Sequence, residues 1–173
     1  MKNKNIVFAS AVALALSGCA TVVNGPNVDY AVDTDPNGAV VTFYGSGATC
    51  ETPCEREMPR ANHTRLDFAM DGYEPTYVLV QSKVGGATVG NVLAGGIIGA
   101  VVDSSNGSNR FLSPRPLIVR LAPAGSGEDA VLLDEDGEVI STVAEHNAEV
   151  RVKVAEQIGA EAAGVEMTAA GTE

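Results

Sequence analysis

The stretch Val28-Asp29-Tyr30-Ala31-Val32-Asp33-Thr34-Asp35-Pro36-Asn37-Gly38-Ala39-Val40-Val41-Thr42-Phe43-Tyr44 decides the fold. Val28, Tyr30 and Val32 alternate with Asp29, Ala31 and Asp33, and a period of two is that of a half-buried strand. Asp35-Pro36-Asn37-Gly38 then predicts a turn, because proline fixes φ and glycine is free to take φ > 0. Ala39 to Tyr44 reads as a second strand, so the two elements form a hairpin or a tight strand corner.

The same grammar continues downstream. Gly45 to Pro53 reads as a loop, followed by a strand around Arg56 to Pro59. Leu66, Phe68 and Met70 alternate with Asp67 and Ala69 and stop at Asp71-Gly72. Thr76 to Lys83 is rich in β-branched residues, and Leu117, Val119 and Leu121 share one face of a strand over Pro116 to Leu121. Short strands separated by Gly, Pro and Asp predict a mainly β chain, built as a small antiparallel sandwich.

Pro36-Asn37-Gly38-Ala39, Thr52-Pro53 after a glycine-rich loop, Asp71-Gly72-Tyr73 and the closing strand Leu117 to Leu121 occur in that order. Together they resemble the PEGA-type β-domain of bacterial surface proteins, whose pattern is P-x-G-A, G-x-T-P, G-Y and a final V-x-L strand. The resemblance covers residues 28–84 and 116–122. It implies a surface-exposed, non-catalytic module, in some members suggested to bind carbohydrate. Two departures stand out: Cys50 and Cys54 bracket the Thr-Pro element, and a long insertion separates the last two strands.

Upstream, Lys2 and Lys4 precede an apolar run from Ile6 to Leu16, and Leu16-Ser17-Gly18-Cys19 follows. A basic n-region, an h-region and a small-residue cleavage site read as a secretory signal over residues 1–18. The run is about half the roughly 20 residues a spanning helix needs. Leu-Ser-Gly-Cys resembles a bacterial lipobox, which implies an acylated Cys19 at the mature amino terminus and a tether over residues 19–27. Ala20, where aspartate would favour inner-membrane retention, points by the same resemblance to the outer membrane.

Of the three cysteines, Cys50 and Cys54 remain once Cys19 carries lipid. An exported chain meets an oxidising compartment, where disulfides persist, so these two are expected to pair. Their spacing is not C-x-x-C, and no thioredoxin-like pattern surrounds them. Zinc would need ligands beyond nearby His63.

The charge is uneven. Residues 20–122 carry ten acids and seven bases, whereas residues 123–173 carry twelve acids and two bases, Arg151 and Lys153. The β-domain is therefore assigned to residues 28–122 and an acidic linker and tail to 123–173. No basic footprint for nucleic acid exists. Within the tail, Ala130 to Leu133 and Glu138 to Ser141 suggest a hairpin across an acidic turn. Thr142 and Glu145 have capping-box spacing. Val143, Val150, Val154 and Ile158 fall near one helical face, but Val150, Val152 and Val154 also alternate, leaving a strand open. A solvated, partly helical tail is the expectation.

Residues 85–107 form a glycine-rich insertion, uncharged from Thr88 to Val102. Gly95-x-x-x-Gly99 has the spacing of packed membrane helices, although the window is shorter than a span. A short element packed on the sandwich competes with a membrane-dipping or self-associating one. Gly90, Gly95, Gly96, Ile97, Ile98 and Gly99 are the candidate contacts with membrane or partner.

No catalytic motif is present: His63 and His146 stand apart, and no H-E-x-x-H, G-x-S-x-G or phosphate-loop pattern occurs. No cofactor and no metal are expected. The function expected is that of a lipid-anchored, non-catalytic envelope module, facing periplasm or cell surface. Its insertion contacts membrane, an envelope partner or another copy. The alternative is a glycan- or peptidoglycan-binding module with Tyr44, Tyr73 and Tyr77 as stacking surfaces; an envelope hydrolase ranks below both.

Overall fold

A computed structural model describes residues 25–84 and 110–165. The expected signal segment, Cys19 and the six insertion contacts lie outside the described residues.

Among the described residues ten strands form two five-stranded sheets, accompanied by one helix. The strands are β1 (Asn27–Asp35), β2 (Val40–Phe43), β3 (Ala48–Glu51), β4 (Cys54–Pro59), β5 (Thr64–Ala69), β6 (Thr76–Val84), β7 (Arg110–Ser113), β8 (Leu117–Arg120), β9 (Val131–Leu133) and β10 (Val139–Thr142). The helix, α1, spans Val143–Ile158. One sheet has the order β10-β9-β8-β1-β4 and the other β3-β2-β5-β6-β7. The described residues therefore form a small, mainly β sandwich with one helix. All pairings are antiparallel except β1 with β8, which run parallel, Val32 opposite Leu117.

The alternation in β1 is real: Val28, Tyr30 and Val32 are buried, while Asp29 and Ala31 are exposed. They meet Val41, Phe43, Leu66, Phe68, Val78, Val80, Leu117 and Val119 in one core between the sheets. Each large side chain so buried contributes about 1.5–3 kcal/mol. Tyr30 has no exposed surface, and its hydroxyl donates to the Pro114 carbonyl at 2.6 Å. Burial pushes its phenol far above the usual range, with the nearby Arg115 cation opposing.

Of the two options for the Asp35–Gly38 turn, the corner holds, since β1 and β2 belong to different sheets. The corner is tied by Thr52. Its Oγ1 accepts from the backbone N–H of Gly38 at 3.1 Å and of Ala39 at 3.0 Å. Thr34 donates its one proton to the Pro36 carbonyl at 2.8 Å, so the 2.5 Å contact between the two threonine hydroxyls must use the Thr52 proton. One donor and two acceptor sites of Thr52 are thus all used. Gly38 sits at φ 99°, which favours glycine.

Two strands escape the sequence reading. β3 lies inside the expected Gly45–Pro53 loop, where its Ala-Thr-Cys-Glu gives little apolar contrast. β7, with only Leu112 buried, is equally faint.

The acidic tail requires correction. Glu135, Asp136 and Glu138 are exposed in the turn that follows β9, with Asp134 half-buried, but Leu132 and Val143 enter the main core, and β9 pairs with β8. Residues 131–158 therefore complete the sandwich and do not form a separate solvated tail. Helix, not strand, wins at Val150–Val154, because Thr142 and Glu145 make a reciprocal capping box that satisfies two otherwise orphan N–H groups.

Helix α1 lies on the outer face of β6, where Val150, Val154 and Ala163 enclose Leu79. β7 pairs with β6 only from Gln81 onward, leaving the backbone edge of Tyr77 and Leu79 without a strand partner. Asn147 covers that edge. Its Oδ1 accepts from the Leu79 N–H at 2.9 Å, and its Nδ2 donates to the Tyr77 carbonyl at 2.7 Å. His146 Nε2 donates to the Leu79 carbonyl at 2.9 Å. One helical turn thus replaces a strand on a buried sheet edge.

Candidate functional site

Two neighbouring features mark one end of the sandwich, called here the Gly25 end. The chain enters the described fold at Gly25, whose carbonyl accepts from Arg60 Nε at 3.1 Å. The Arg60 carbonyl accepts from Ser82 Oγ at 2.5 Å, and Ser82 Oγ accepts from Arg110 Nη1 at 3.2 Å. Val84 and Arg110 pair directly and bracket residues 85–109. The amino-terminal segment and the insertion therefore join the fold at the same end.

The surface there combines cations with exposed apolar side chains. Arg60, Lys83, Arg110 and Lys153 supply positive charge, and Glu57, Glu149 and Glu156 are acids beside them, with Asp134 and Glu135 facing Lys83 across the adjoining cleft. Lys153 pairs with Glu156 at 2.7 Å; among the described residues no carboxylate pairs with Arg60, Lys83 or Arg110. Val84 is 54% exposed and Phe111 41%.

His63 lies under this surface. Its Nδ1 accepts from the Ser82 N–H at 3.0 Å, which places the ring proton of the neutral form on Nε2. Burial lowers its pKa below the ordinary 6.5, as do the Arg110 and Lys153 cations, against Glu156. Ser82 and His63 do not form a nucleophile–base pair, because the Ser82 hydroxyl proton goes to the Arg60 carbonyl.

The second feature is a cleft of about 510 Å³ between the β7–β8 connection and the β9–β10–α1 corner. Lys83, Arg115, Asp134, Glu135, His146 and Glu149 give it charges of both signs. Because His146 Nε2 donates to a carbonyl, its Nδ1 is the nitrogen left for other partners. The sequence carried no signal for this cleft, since its walls come from five elements far apart in the chain.

The expected cysteine pair is present as a disulfide, Cys50 to Cys54, across the β3–β4 corner. It encloses Thr52, the residue that ties the Asp35–Gly38 corner. The motifs behind the resemblance meet in two places: Gly38 and Ala39 on Thr52, and Gly72-Tyr73 on the segment after β8, where the Ala124 N–H donates to the Gly72 carbonyl at 2.9 Å.

The three candidate stacking tyrosines do not form one platform. Tyr73 packs against the main core and bridges Pro123. The Tyr77 ring is covered by the Arg65 guanidinium at 4.0 Å, with Arg65 held by Asp67 at 2.5 Å. Gly164, at φ 70°, lies against the Tyr77 hydroxyl, where no side chain would fit. Only Tyr44 is exposed, at 47%.

Among the described residues no helix is long and apolar enough to cross a membrane, and no group of three His, Cys, Asp or Glu side chains is placed to hold a metal ion. The class that the fold defines is a small two-sheet β sandwich braced by a C-terminal helix. No protein-family model, curated protein or solved structure matches the chain.

Proposed function

We propose that this protein is a lipid-anchored, non-catalytic module of the bacterial cell envelope, held at the outer membrane through Cys19. Its glycine-rich insertion is the part that contacts membrane or an envelope partner. The PEGA-like order of motifs and the lipobox-like Leu16-Ser17-Gly18-Cys19 support this reading from the sequence. The observation that carries it is the linkage of Gly25, Arg60, Ser82 and Arg110, which sets the points where residues 1–24 and 85–109 join the described fold at the same end. An anchor and a contact element are useful together only if both can reach the same surface.

The disulfide supports an exported location, since such bonds persist in oxidising compartments. The dispersed tyrosines give the carbohydrate reading no platform, so it is not carried further.

Mass spectrometry of the protein from its host tests the anchor. Residue 19 should be the amino terminus and should carry acyl chains, and Cys19→Ser should shift the protein out of the outer-membrane fraction. An unprocessed, unmodified chain in the cytosol would refute the proposal. Photo-crosslinkers at positions 97 and 98 should capture lipid or one envelope protein; capture of neither would remove the assigned role of the insertion.

A further inference from the structure

We infer that the cleft between the β7–β8 connection and the β9–β10–α1 corner is a binding site for a short zwitterionic peptide. The free carboxylate of that peptide meets Lys83 and Arg115, and its free ammonium meets Asp134, Glu135 and Glu149. This goes beyond the envelope-module reading and does not depend on it.

The charges that line the cleft are sorted by wall. The bases are Lys83, near the end of β6, and Arg115, between β7 and β8. The acids are Asp134 and Glu135, just after β9, and Glu149, on α1. Three acids against two bases select neither a cation nor an anion. Opposite signs on opposite walls instead select a ligand that carries opposite charges at its two ends. Among the described residues no ion pair joins one wall to the other.

The framework keeps the walls apart. β9 is fixed by its pairing with β8, Ile118 opposite Leu133, and α1 is pinned to Leu79 by His146 and Asn147. Asp134 Oδ1 accepts from the N–H groups of Asp136 at 3.0 Å and Glu138 at 2.9 Å, which leaves Oδ2 for a ligand. On the other wall, Lys83 pairs with Phe111 in the β6–β7 ladder, and the Pro114 carbonyl holds the Tyr30 hydroxyl. A ligand entering so preformed a site loses little affinity to ordering the protein.

Between the charged walls the cleft suits a peptide unit. His146 Nε2 donates to the Leu79 carbonyl, so Nδ1 of the neutral ring can accept from a ligand N–H. Ser113 and Ser141 contribute hydroxyls able to donate to a ligand carbonyl. A peptide bond brings one such donor and one such acceptor. Pro114, Pro116 and Ile140, the last 61% exposed, add apolar wall for a side chain. The volume of about 510 Å³ lies within the range of about 300–1,000 Å³ usual for small-ligand sites, and is far too small for a folded partner.

Titration of the full chain bearing Cys19→Ser with the dipeptide alanyl-leucine, followed by backbone amide chemical shifts, tests the site. Saturable shifts should appear at Lys83, Ser113, Asp134 and His146. Acetylating the amino end or amidating the carboxyl end of the dipeptide should each weaken binding about 10- to 100-fold, the worth of one charge-assisted contact. Lys83→Gln with Arg115→Gln should abolish the preference for the free over the amidated carboxyl end. Glu135→Gln with Glu149→Gln should abolish the preference for the free over the acetylated amino end. Each pair of changes thus maps to one end of the ligand, which a general loss of structure would not do, and thermal melts show that the variants remain folded. The inference is overturned by the absence of saturable shifts by about 10 mM, by equal binding of the doubly blocked dipeptide, or by end preferences indifferent to the paired substitutions. Equal binding of free leucine would also overturn it, since the peptide unit would then have no part in recognition.

Discussion

Asn147 is 3% exposed, in the first half of a helix that otherwise buries only valines, so its amide must be worth its burial. It both accepts from the Leu79 N–H and donates to the Tyr77 carbonyl. Asn147→Leu keeps a similar volume and a better helix former but leaves two backbone groups of β6 without partners. An unsatisfied buried group costs about 1–3 kcal/mol, so the substitution should destabilise by about 2–5 kcal/mol despite its gain in apolar character. At about 3–5 °C per kcal/mol for a domain of this size, that lowers Tm by about 6–25 °C. Asn147→Asp separates geometry from volume. Its carboxylate still accepts from the Leu79 N–H, but presents an oxygen to the Tyr77 carbonyl where a donor is needed. Protonation restores the donor, so the folded chain favours the proton. The deficit of Asn147→Asp relative to wild type is therefore fullest at high pH and should shrink as pH falls from 7 to 4. Urea titrations followed by circular dichroism at several pH values measure both variants. Wild-type stability in Asn147→Leu, or a deficit in Asn147→Asp that is constant with pH, would refute the edge-covering role.

His63 predicts a second pH dependence of opposite sign. Burial and the Arg110 and Lys153 cations hold its folded pKa below 6.5, so an unfolded chain takes up a proton there that the folded chain refuses. Its contribution is full above pH 6.5 and is lost as pH falls through the lower folded pKa. Wild type should accordingly lose more stability than His63→Gln between pH 7.5 and 5, and equal slopes would exclude His63 as the cause. The disulfide closes a short loop, with a sequence separation of 4. Loop-closure entropy for so few residues is about 2 kcal/mol, so Cys50→Ala with Cys54→Ala should lower stability by about that amount without unfolding the sandwich; denaturant midpoints measure it.

The parts of this fold that were legible in the sequence share one property: their side chains alternate across a boundary between core and water. β1, with Val28, Tyr30 and Val32 facing in and Asp29 facing out, announces itself within six residues. β3 does not, because it is an edge strand paired only with β2, and its four residues are polar or small and none is buried. The tail misled for a related reason. Charge was counted along the chain, whereas burial is decided by face, and three apolar residues, Leu132, Leu133 and Val143, outweigh the acids of the turn they flank. Electrostatics at the Gly25 end were hidden for the same cause. Arg60, Lys83, Arg110 and Lys153 are separated by 23, 27 and 43 positions and become one surface only when β6, β7 and α1 are placed. The cysteines could be paired by counting, given the expectation that Cys19 carries lipid, and the Cys50–Cys54 bond is present. The three tyrosines could not be grouped by counting, because an aromatic platform needs one open face, and Tyr73 and Tyr77 are already occupied by Pro123 and Arg65. Local pattern thus supplied the strands, and a surface such as the cleft shared by Lys83, Arg115, Asp134 and Glu149 emerges only from the order in which the two sheets are laid down.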